Sequence, residues 1–131
     1  MNKLEAKLGN LKKALERLKE AAAQLGENNS DVIRDGVIQR FEFTYELAWK
    51  TTKEYLEDIG IMDKTSPKAV IKEAYAQKII INEQIWLSMI KDRNTTSHMY
   101  LEKMAIDIAE RITNCYINEF DKLLEALSPE L

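Results

Sequence analysis

The chain has 131 residues, of which 45% are apolar and 31% charged, a composition typical of one globular domain. Only four glycines and two prolines interrupt it, which favours long helices over a sheet-rich fold. The formal net charge of −3 excludes a general polyanion binder, so any nucleic-acid contact requires a local basic patch. No apolar run approaches the roughly 20 residues of a membrane span. We therefore expect a single helical domain over residues 1–131, located in the cytoplasm.

The first predicted helix is amphipathic with one apolar stripe. Apolar residues recur alternately four and three residues apart from Leu4 to Leu25, all of them leucines except Ala22, and lysine, glutamate and arginine fill the opposite face. Gly26 stands where a residue that ends a helix belongs. Core packing explains this stripe.

The second predicted helix is apolar on more than one side. It begins at Ser30 or Asp31, either of which is a good N-cap, and runs to Gly60. Its two apolar sets are Ile33, Val37, Phe41, Tyr45, Ala48, Thr52, Tyr55 and Ile59, and Ile38, Phe43, Leu47, Trp49 and Leu56. A helix of this kind must be covered on more than one side, so we expect a central helix, a dimer face, or both. Glu42 and Glu46, on the same helix, form either a carboxylate pair for metal or acid–base chemistry or simply a charged face.

Two short helices and a last long helix follow. Ser66 and Pro67 start the third helix, which ends near Gln77. Its inward residues are predicted to be Ala69, Val70, Ala74 and Tyr75. Residues 79–81 are a buried connector, and Asn82 caps a fourth helix whose stripe stops at Lys91 and Asp92. The last helix carries a stripe from Leu101 to Leu127, with Cys115 beside it as a small core residue. These segments predict an all-α antiparallel bundle of about five helices, similar to a four-helix bundle.

A polar octet from Arg93 to Tyr100 separates the two final stripes and holds the only histidine, His98. In one unbroken helix, side chains five residues apart point roughly 140° away from each other. The hydroxyls of the two threonines and the serine within the octet compete for backbone hydrogen bonds, so we expect the helix to break there. A break would allow the guanidinium of Arg93 and the imidazole of His98 to converge.

This pair has the chemistry of a ribonuclease. If Ser97 caps the last helix, His98 lies in its first turn, where the helix dipole favours a neutral imidazole base and free N–H groups bind phosphate. The imidazole would take the proton of a ribose 2′-OH, which attacks the adjacent phosphate while Arg93 stabilises the developing charge. Because each chain has one histidine, a two-fold dimer that joins two octets would supply the acid as well as the base. The alternative is that His98 is only a cap or a surface group.

The run from Lys91 to Tyr100 resembles the Arg-x4-His-x-Tyr motif of HEPN-domain proteins. The chain as a whole is similar to the HepT family, also called nucleotidyltransferase substrate-binding proteins, with further likeness in residues 39–50 and 66–71. Four positions match the family motif: Arg93, Asn94, His98 and Tyr100.

The resemblance implies a homodimeric HEPN-like bundle encoded beside a minimal nucleotidyltransferase. It implies a toxin of a toxin–antitoxin pair that cleaves RNA without a metal or cofactor, with Arg93 and His98 catalytic and Asn94 supporting. The cognate nucleotidyltransferase, as antitoxin, would transfer AMP to Tyr100 and silence the toxin. In an extended segment Tyr100 shares a side with His98, so an added phosphodiester would carry negative charge into the Arg93 pocket. The alternative is a non-catalytic subunit that binds substrate or nucleotide for the transferase.

Overall fold

A computed structural model describes residues 2–98 and 101–128, and every regular element in those ranges is helical. The elements are α1 (Lys3–Glu27), α2 (Asp31–Asp58), α3 (Pro67–Ala76), α4 (Glu83–Thr96), α5 (Glu102–Arg111), a π-helical turn (Ile112–Tyr116) and α6 (Ile117–Leu127). Since α5, the π-helical turn and α6 follow without interruption, the described residues form three long helical rods and two shorter ones. The predicted all-α antiparallel bundle is confirmed.

Three helices begin where the sequence predicts, because a side chain accepts hydrogen bonds from the first free N–H groups. Ser30 accepts from two amides of α2, Ser66 from one of α3 and Asn82 from one of α4. Pro67 stands in the first turn of α3, where its missing N–H costs nothing. The predicted end of α1 is wrong by a residue or two: the helix continues through Gly26 to Glu27.

Helix α2 is the centre of the bundle and packs against each of the other helices. Phe41 lies at its middle, stacked on Tyr116 at 5.5 Å between ring centroids and 6.2 Å from both Tyr45 and Phe120. Trp86 of α4 meets Phe120 edge-on at 5.7 Å, which brings α4 onto the same aromatic core. Of the two roles predicted for the second helix, that of a central helix is therefore confirmed.

The π-helical turn keeps the last apolar stripe in register. Ile108, Ile112, Tyr116 and Phe120 follow at steps of four, and in an α-helix each such step rotates about 40° beyond a full turn. Three steps would carry the stripe roughly 120° around the helix. A wider π turn absorbs this drift, and all four side chains are buried.

Three predicted burials are wrong. Cys115 is exposed, because the π-helical turn directs its neighbour Tyr116 into the core and leaves the thiol outside. Tyr75 is 47% exposed near the end of α3, where only Val70, Ile71 and Ala74 face inward. Within the connector Ile80 is buried, but Ile81 is exposed. No helix in the described ranges is both long and apolar enough to cross a membrane.

Candidate functional site

Helix α4 ends later than the octet predicts. It continues through both threonines to Thr96, and Ser97 is its C-cap. His98 lies in the turn beyond, where its main-chain N–H donates to the main-chain carbonyl of Thr95 at 3.0 Å. The next helix begins only at Glu102. The prediction that Ser97 caps the last helix and places His98 in its first turn is therefore wrong, and the phosphate-binding helix start expected at His98 is not there.

Arg93 faces α2. Its Nη1 lies 3.2 Å from Oε2 of Glu42, and both side chains are 28% exposed. Thr96 donates its hydroxyl hydrogen to the same Glu42 oxygen, at 2.6 Å, or to the carbonyl of Arg93, at 2.8 Å. Within the described residues the Nε of Arg93 is buried without a hydrogen-bond partner. Glu42 thus acts as a counter-ion that holds the guanidinium against α2.

The carboxylates of Glu42 and Glu46 serve different partners. Glu46 accepts a hydrogen bond from the indole of Trp49 at 3.2 Å and lies 3.6 Å from Nζ of Lys50. These contacts agree with the charged-face interpretation of the pair. In the described part of the chain, no three His, Cys, Asp or Glu side chains gather as a metal-binding group.

His98 opens onto a cleft of about 650 Å³ at the end of α4. The cleft is lined by Lys68, Leu87, Ile90, Lys91, Asn94, Thr95, His98 and Met104. Asn94 and His98 are one helical turn apart and share this cleft, as do two lysines, and none of its lining residues is acidic. Arg93 is not among the lining residues. The structure therefore brings Asn94 and His98 together and places Arg93 on the α2 side of the same helix, while Tyr100 lies outside the described residues.

Directly before Arg93, a buried polar network ties α4 to the last helical rod. Asp92 is 5% exposed and accepts two hydrogen bonds from Arg111, from Nε at 2.7 Å and from Nη2 at 2.9 Å. The phenol of Tyr116 donates to the same carboxylate, and its oxygen lies 2.8 Å from the hydroxyl of Ser88. Burial and the bond to Asp92 raise the pKa of Tyr116 to about 12. The bond to Asp92 also raises the pKa of Arg111.

The sequence patterns above do not predict this network, although α4 carries a signal for it. Asp92 follows Met89 by three residues, and Met89 lies on the inward face of α4, so the helical spacing places Asp92 on that face too. A carboxylate at a core-facing position needs partners, because an unpaired buried charge is very costly. The network fixes the last turns of α4, on which Arg93 and His98 depend for their positions.

Comparison with known proteins agrees with this architecture. The family described as "Nucleotidyltransferase substrate binding protein like" matches residues 6–129. A protein of Haemophilus influenzae named probable ribonuclease HepT is 32% identical over 101 residues, which are 74% of this chain and 68% of that protein. The chain belongs to the HepT-like family of HEPN-domain proteins.

Two solved structures share the fold of this HepT-like chain. A protein of Thermus thermophilus is 36% identical, with a TM-score of 0.83 over 91% of this chain and 99% of its own. The tri-AMPylated HEPN toxin of Shewanella oneidensis, solved in complex with its MNT antitoxin, is 16% identical. Its TM-score is 0.79 over 97% of this chain and 98% of its own, which shows that the helical fold is the same.

Proposed function

We propose that this protein is the HEPN-type toxin of a toxin–antitoxin pair, a metal-independent endoribonuclease silenced when a minimal nucleotidyltransferase transfers AMP to Tyr100. The observation that carries the proposal is the exposed His98 in a cleft with Asn94 and two lysines. An imidazole among cations and without an adjacent carboxylate suits a phosphodiester substrate. The Haemophilus relative named as a probable ribonuclease supports the same activity.

The proposed reaction is a transesterification. The imidazole of His98 takes the proton of a ribose 2′-OH, and the 2′-oxygen forms a bond to the adjacent phosphorus as the bond to the 5′-oxygen breaks. The products are a 2′,3′-cyclic phosphate and a 5′-hydroxyl that has gained a proton. Arg93 lies on the α2 side of α4, so it would act on this phosphate where the RNA passes the end of the helix. A guanidinium has several N–H donors, so Arg93 can hold Glu42 through one and a phosphate oxygen through another.

A homodimer would complete this chemistry, because one chain has one imidazole and the leaving 5′-oxygen needs an acid. Two apolar side chains are exposed close to the His98 turn: Leu101, at 64%, and Met104, which lines the cleft, at 37%. A second copy that covers them would place two such clefts side by side. A solution mass equal to one chain at micromolar concentration would contradict this part of the proposal.

The activity is tested with purified protein and unstructured RNA in EDTA. Wild type should produce 2′,3′-cyclic phosphate ends, and His98→Ala and Arg93→Ala should not. Lys12→Ala is the matched control, since Lys12 is exposed on α1 and its loss removes a charge elsewhere on the surface. A wild-type protein that is inactive on RNA and harmless when expressed in cells would overturn the ribonuclease proposal.

AMP transfer to Tyr100 has its own test. Incubation with the cognate nucleotidyltransferase and ATP should add AMP to wild type, and Tyr100→Phe should abolish the labelling. Tyr75→Phe is the control, because Tyr75 is an exposed tyrosine on α3 and its loss should leave the AMP labelling unchanged. The AMPylated Shewanella toxin supports this step. Labelling that survives in Tyr100→Phe would exclude Tyr100 as the acceptor.

The second candidate function is a non-catalytic subunit that binds substrate or nucleotide for the transferase, and the family description favours it. In that case the His98 cleft would hold a nucleotide phosphate, since the two lysines and the asparagine suit a phosphate as well as RNA. The discriminating result is a protein that cleaves no RNA but lowers the KM of its partner for nucleotide. His98→Ala would then change that KM and leave cell growth unaffected.

A further inference from the structure

A second cleft, between α1 and α2, has a charge unlike that of the whole chain. Its lining residues are Asn10, Lys13, Ala14, Arg17, Gly36, Gln39, Arg40, Phe43 and Leu47, and its volume is about 540 Å³. Three of them are cations and none is acidic, although the chain carries a formal net charge of −3. This is the local basic patch that a chain of negative net charge needs in order to bind a polyanion.

An exposed aromatic ring lies in the same groove. Phe43 is 61% exposed, while the other two phenylalanines of the chain, Phe41 and Phe120, are fully buried. Asn10 and Gln39 add amide donors and acceptors at the groove's surface. Cations that follow a phosphate backbone, together with an aromatic face that stacks on bases, are the common features of sites for single-stranded nucleic acid.

One of the cations is held in place by the protein. Nη1 of Arg40 donates to the main-chain carbonyl of Arg17 at 2.7 Å, and this bond connects the two walls of the groove. The side chains of Lys13 and Arg17 are exposed, one helical turn apart on α1. Their spacing leaves two cationic groups on one side of the groove and Phe43 on the other.

The groove adjoins the candidate site through α2. Phe43 lines the groove, and its chain neighbour Glu42 is the residue that pairs with Arg93. Neighbouring residues of an α-helix point about 100° apart, so the groove and the Arg93 side of the site lie on different faces of α2 within one turn.

We propose that the groove between α1 and α2 binds single-stranded RNA, with Lys13 and Arg17 on its phosphates and Phe43 stacked on a base. The inference rests on the proposed function only in taking RNA as the ligand. A second copy of the chain is a poorer occupant, because a two-fold contact of groove on groove would oppose three cations to three cations.

The test measures binding apart from cleavage. A fluorescent, unstructured single-stranded RNA is titrated with the His98→Ala protein, which cannot consume it, and anisotropy is read over a range of salt concentrations. In this background Phe43→Ala should weaken binding about tenfold, because one stacked base is lost, and Phe43→Tyr should restore it. The double change Lys13→Ala with Arg17→Ala should weaken binding and lower the slope of log affinity against log salt by about 1.4.

Controls separate the groove from general charge and from folding. Lys12→Ala removes an exposed cation of α1 outside the groove and should change affinity less than twofold. Circular dichroism melting of each variant should match the parent, since Lys13, Arg17 and Phe43 are exposed. An RNA of the same sequence annealed to its complement should bind less tightly, because paired bases cannot stack on Phe43.

The outcomes are distinct from those of the ribonuclease test. RNA affinity that stays within twofold in Phe43→Ala and in the double variant would overturn the inference. So would a parent that does not bind RNA, or groove variants that lose only dimer or partner association. Loss of RNA affinity in the groove variants of a protein that fails to cleave RNA would support the groove and overturn the proposed reaction.

Discussion

The two sides of the end of α4 differ in almost every physical respect. On the α2 side, Arg93 is half-buried and paired with Glu42, a residue 51 positions earlier in the chain. On the other side, His98 is exposed in a turn and lines a cleft with Asn94 and two lysines. The motif therefore separates two tasks: the packing of the bundle fixes the position of the arginine, whereas the histidine is left accessible to a substrate.

Substitution of the two motif residues gives the largest expected contrast. His98→Ala and Arg93→Ala should each lower RNA cleavage at least about 100-fold, since each removes a group that acts on the reacting atoms. Only Arg93→Ala should lower the melting temperature, by about 4 °C for a loss of about 1 kcal/mol, because the half-buried Glu42 loses its cationic partner and keeps only the Thr96 hydroxyl. Calorimetry of both proteins checks this. Equal melting temperatures would mean that the Arg93–Glu42 pair does not stabilise the fold.

The buried network of Asp92, Arg111 and Tyr116 should contribute more to the stability of the fold than to RNA cleavage. Asp92→Asn should lower the free energy of unfolding by about 2 kcal/mol, because the bidentate bond from Arg111 and the bond from Tyr116 both lose a charged acceptor. Asp107→Asn is the matched control: Asp107 pairs with Lys103 on the surface at 3.3 Å, so its loss should cost less than about 0.5 kcal/mol. Urea unfolding measures both. Similar costs would show that burial of Asp92 adds nothing.

The sequence predicts the helices well and the end of α4 poorly, for a physical reason. Stripe spacing and the caps Ser30, Ser66 and Asn82 are local, so they can be read directly. The hydroxyls of the octet were expected to break the helix. Instead two of them donate to carbonyls three or four residues earlier, Thr95 to Lys91 at 3.0 Å and Ser97 to Asn94 at 2.8 Å. Hydroxyls satisfied in this way no longer compete with the helix, which continues to Thr96, and no sequence pattern decides between the two outcomes.

Contacts between distant segments also could not be predicted from the sequence. Glu42 could be recognised as a charged residue of α2, but its partner Arg93 depends on how α2 packs against α4. The same holds for Asp92 and Arg111, which belong to different rods. The membership of Asn94 and His98 in one cleft, in contrast, follows from their spacing of four on a helix that continues almost to His98.

Glu42→Gln should release Arg93 from its counter-ion and so test whether the guanidinium can bind phosphate. The neutral amide no longer competes with phosphate for the guanidinium, so RNA affinity in a His98→Ala background should rise about threefold. Glu46→Gln is the control, because its carboxylate contacts Trp49 and Lys50 and should leave the affinity unchanged. Anisotropy titration measures both. Weaker binding in Glu42→Gln would mean that the carboxylate positions Arg93 for phosphate and does not compete with it.

The smallest effect concerns Tyr45, a buried phenol on the Arg93 side of the site. Burial, reinforced by the negative charge of Glu46, raises its pKa from near 10 to about 12, and the positive charge of Arg93 lowers it. The folded chain therefore keeps the phenol proton at a pH where the unfolded chain has lost it. The resulting contribution to the free energy of unfolding is complete below pH 10 and is lost as the pH rises through about 12. Between pH 9 and pH 11, the free energy of unfolding should therefore decrease by about 1 kcal/mol more in wild type than in Tyr45→Phe.

The same phenol can report which side of α4 each motif residue belongs to. Arg93→Ala should raise the pKa of Tyr45 further, because the cation that favours the phenolate is gone. His98→Ala should leave it unchanged, since His98 faces the cleft at the end of α4. The measurement is the pH dependence of the tyrosine ring-carbon signals in labelled protein, with Tyr45→Phe to assign the resonance. If both substitutions move the pKa of Tyr45 equally, Arg93 and His98 share one electrostatic environment and the two-sided description of this site is wrong.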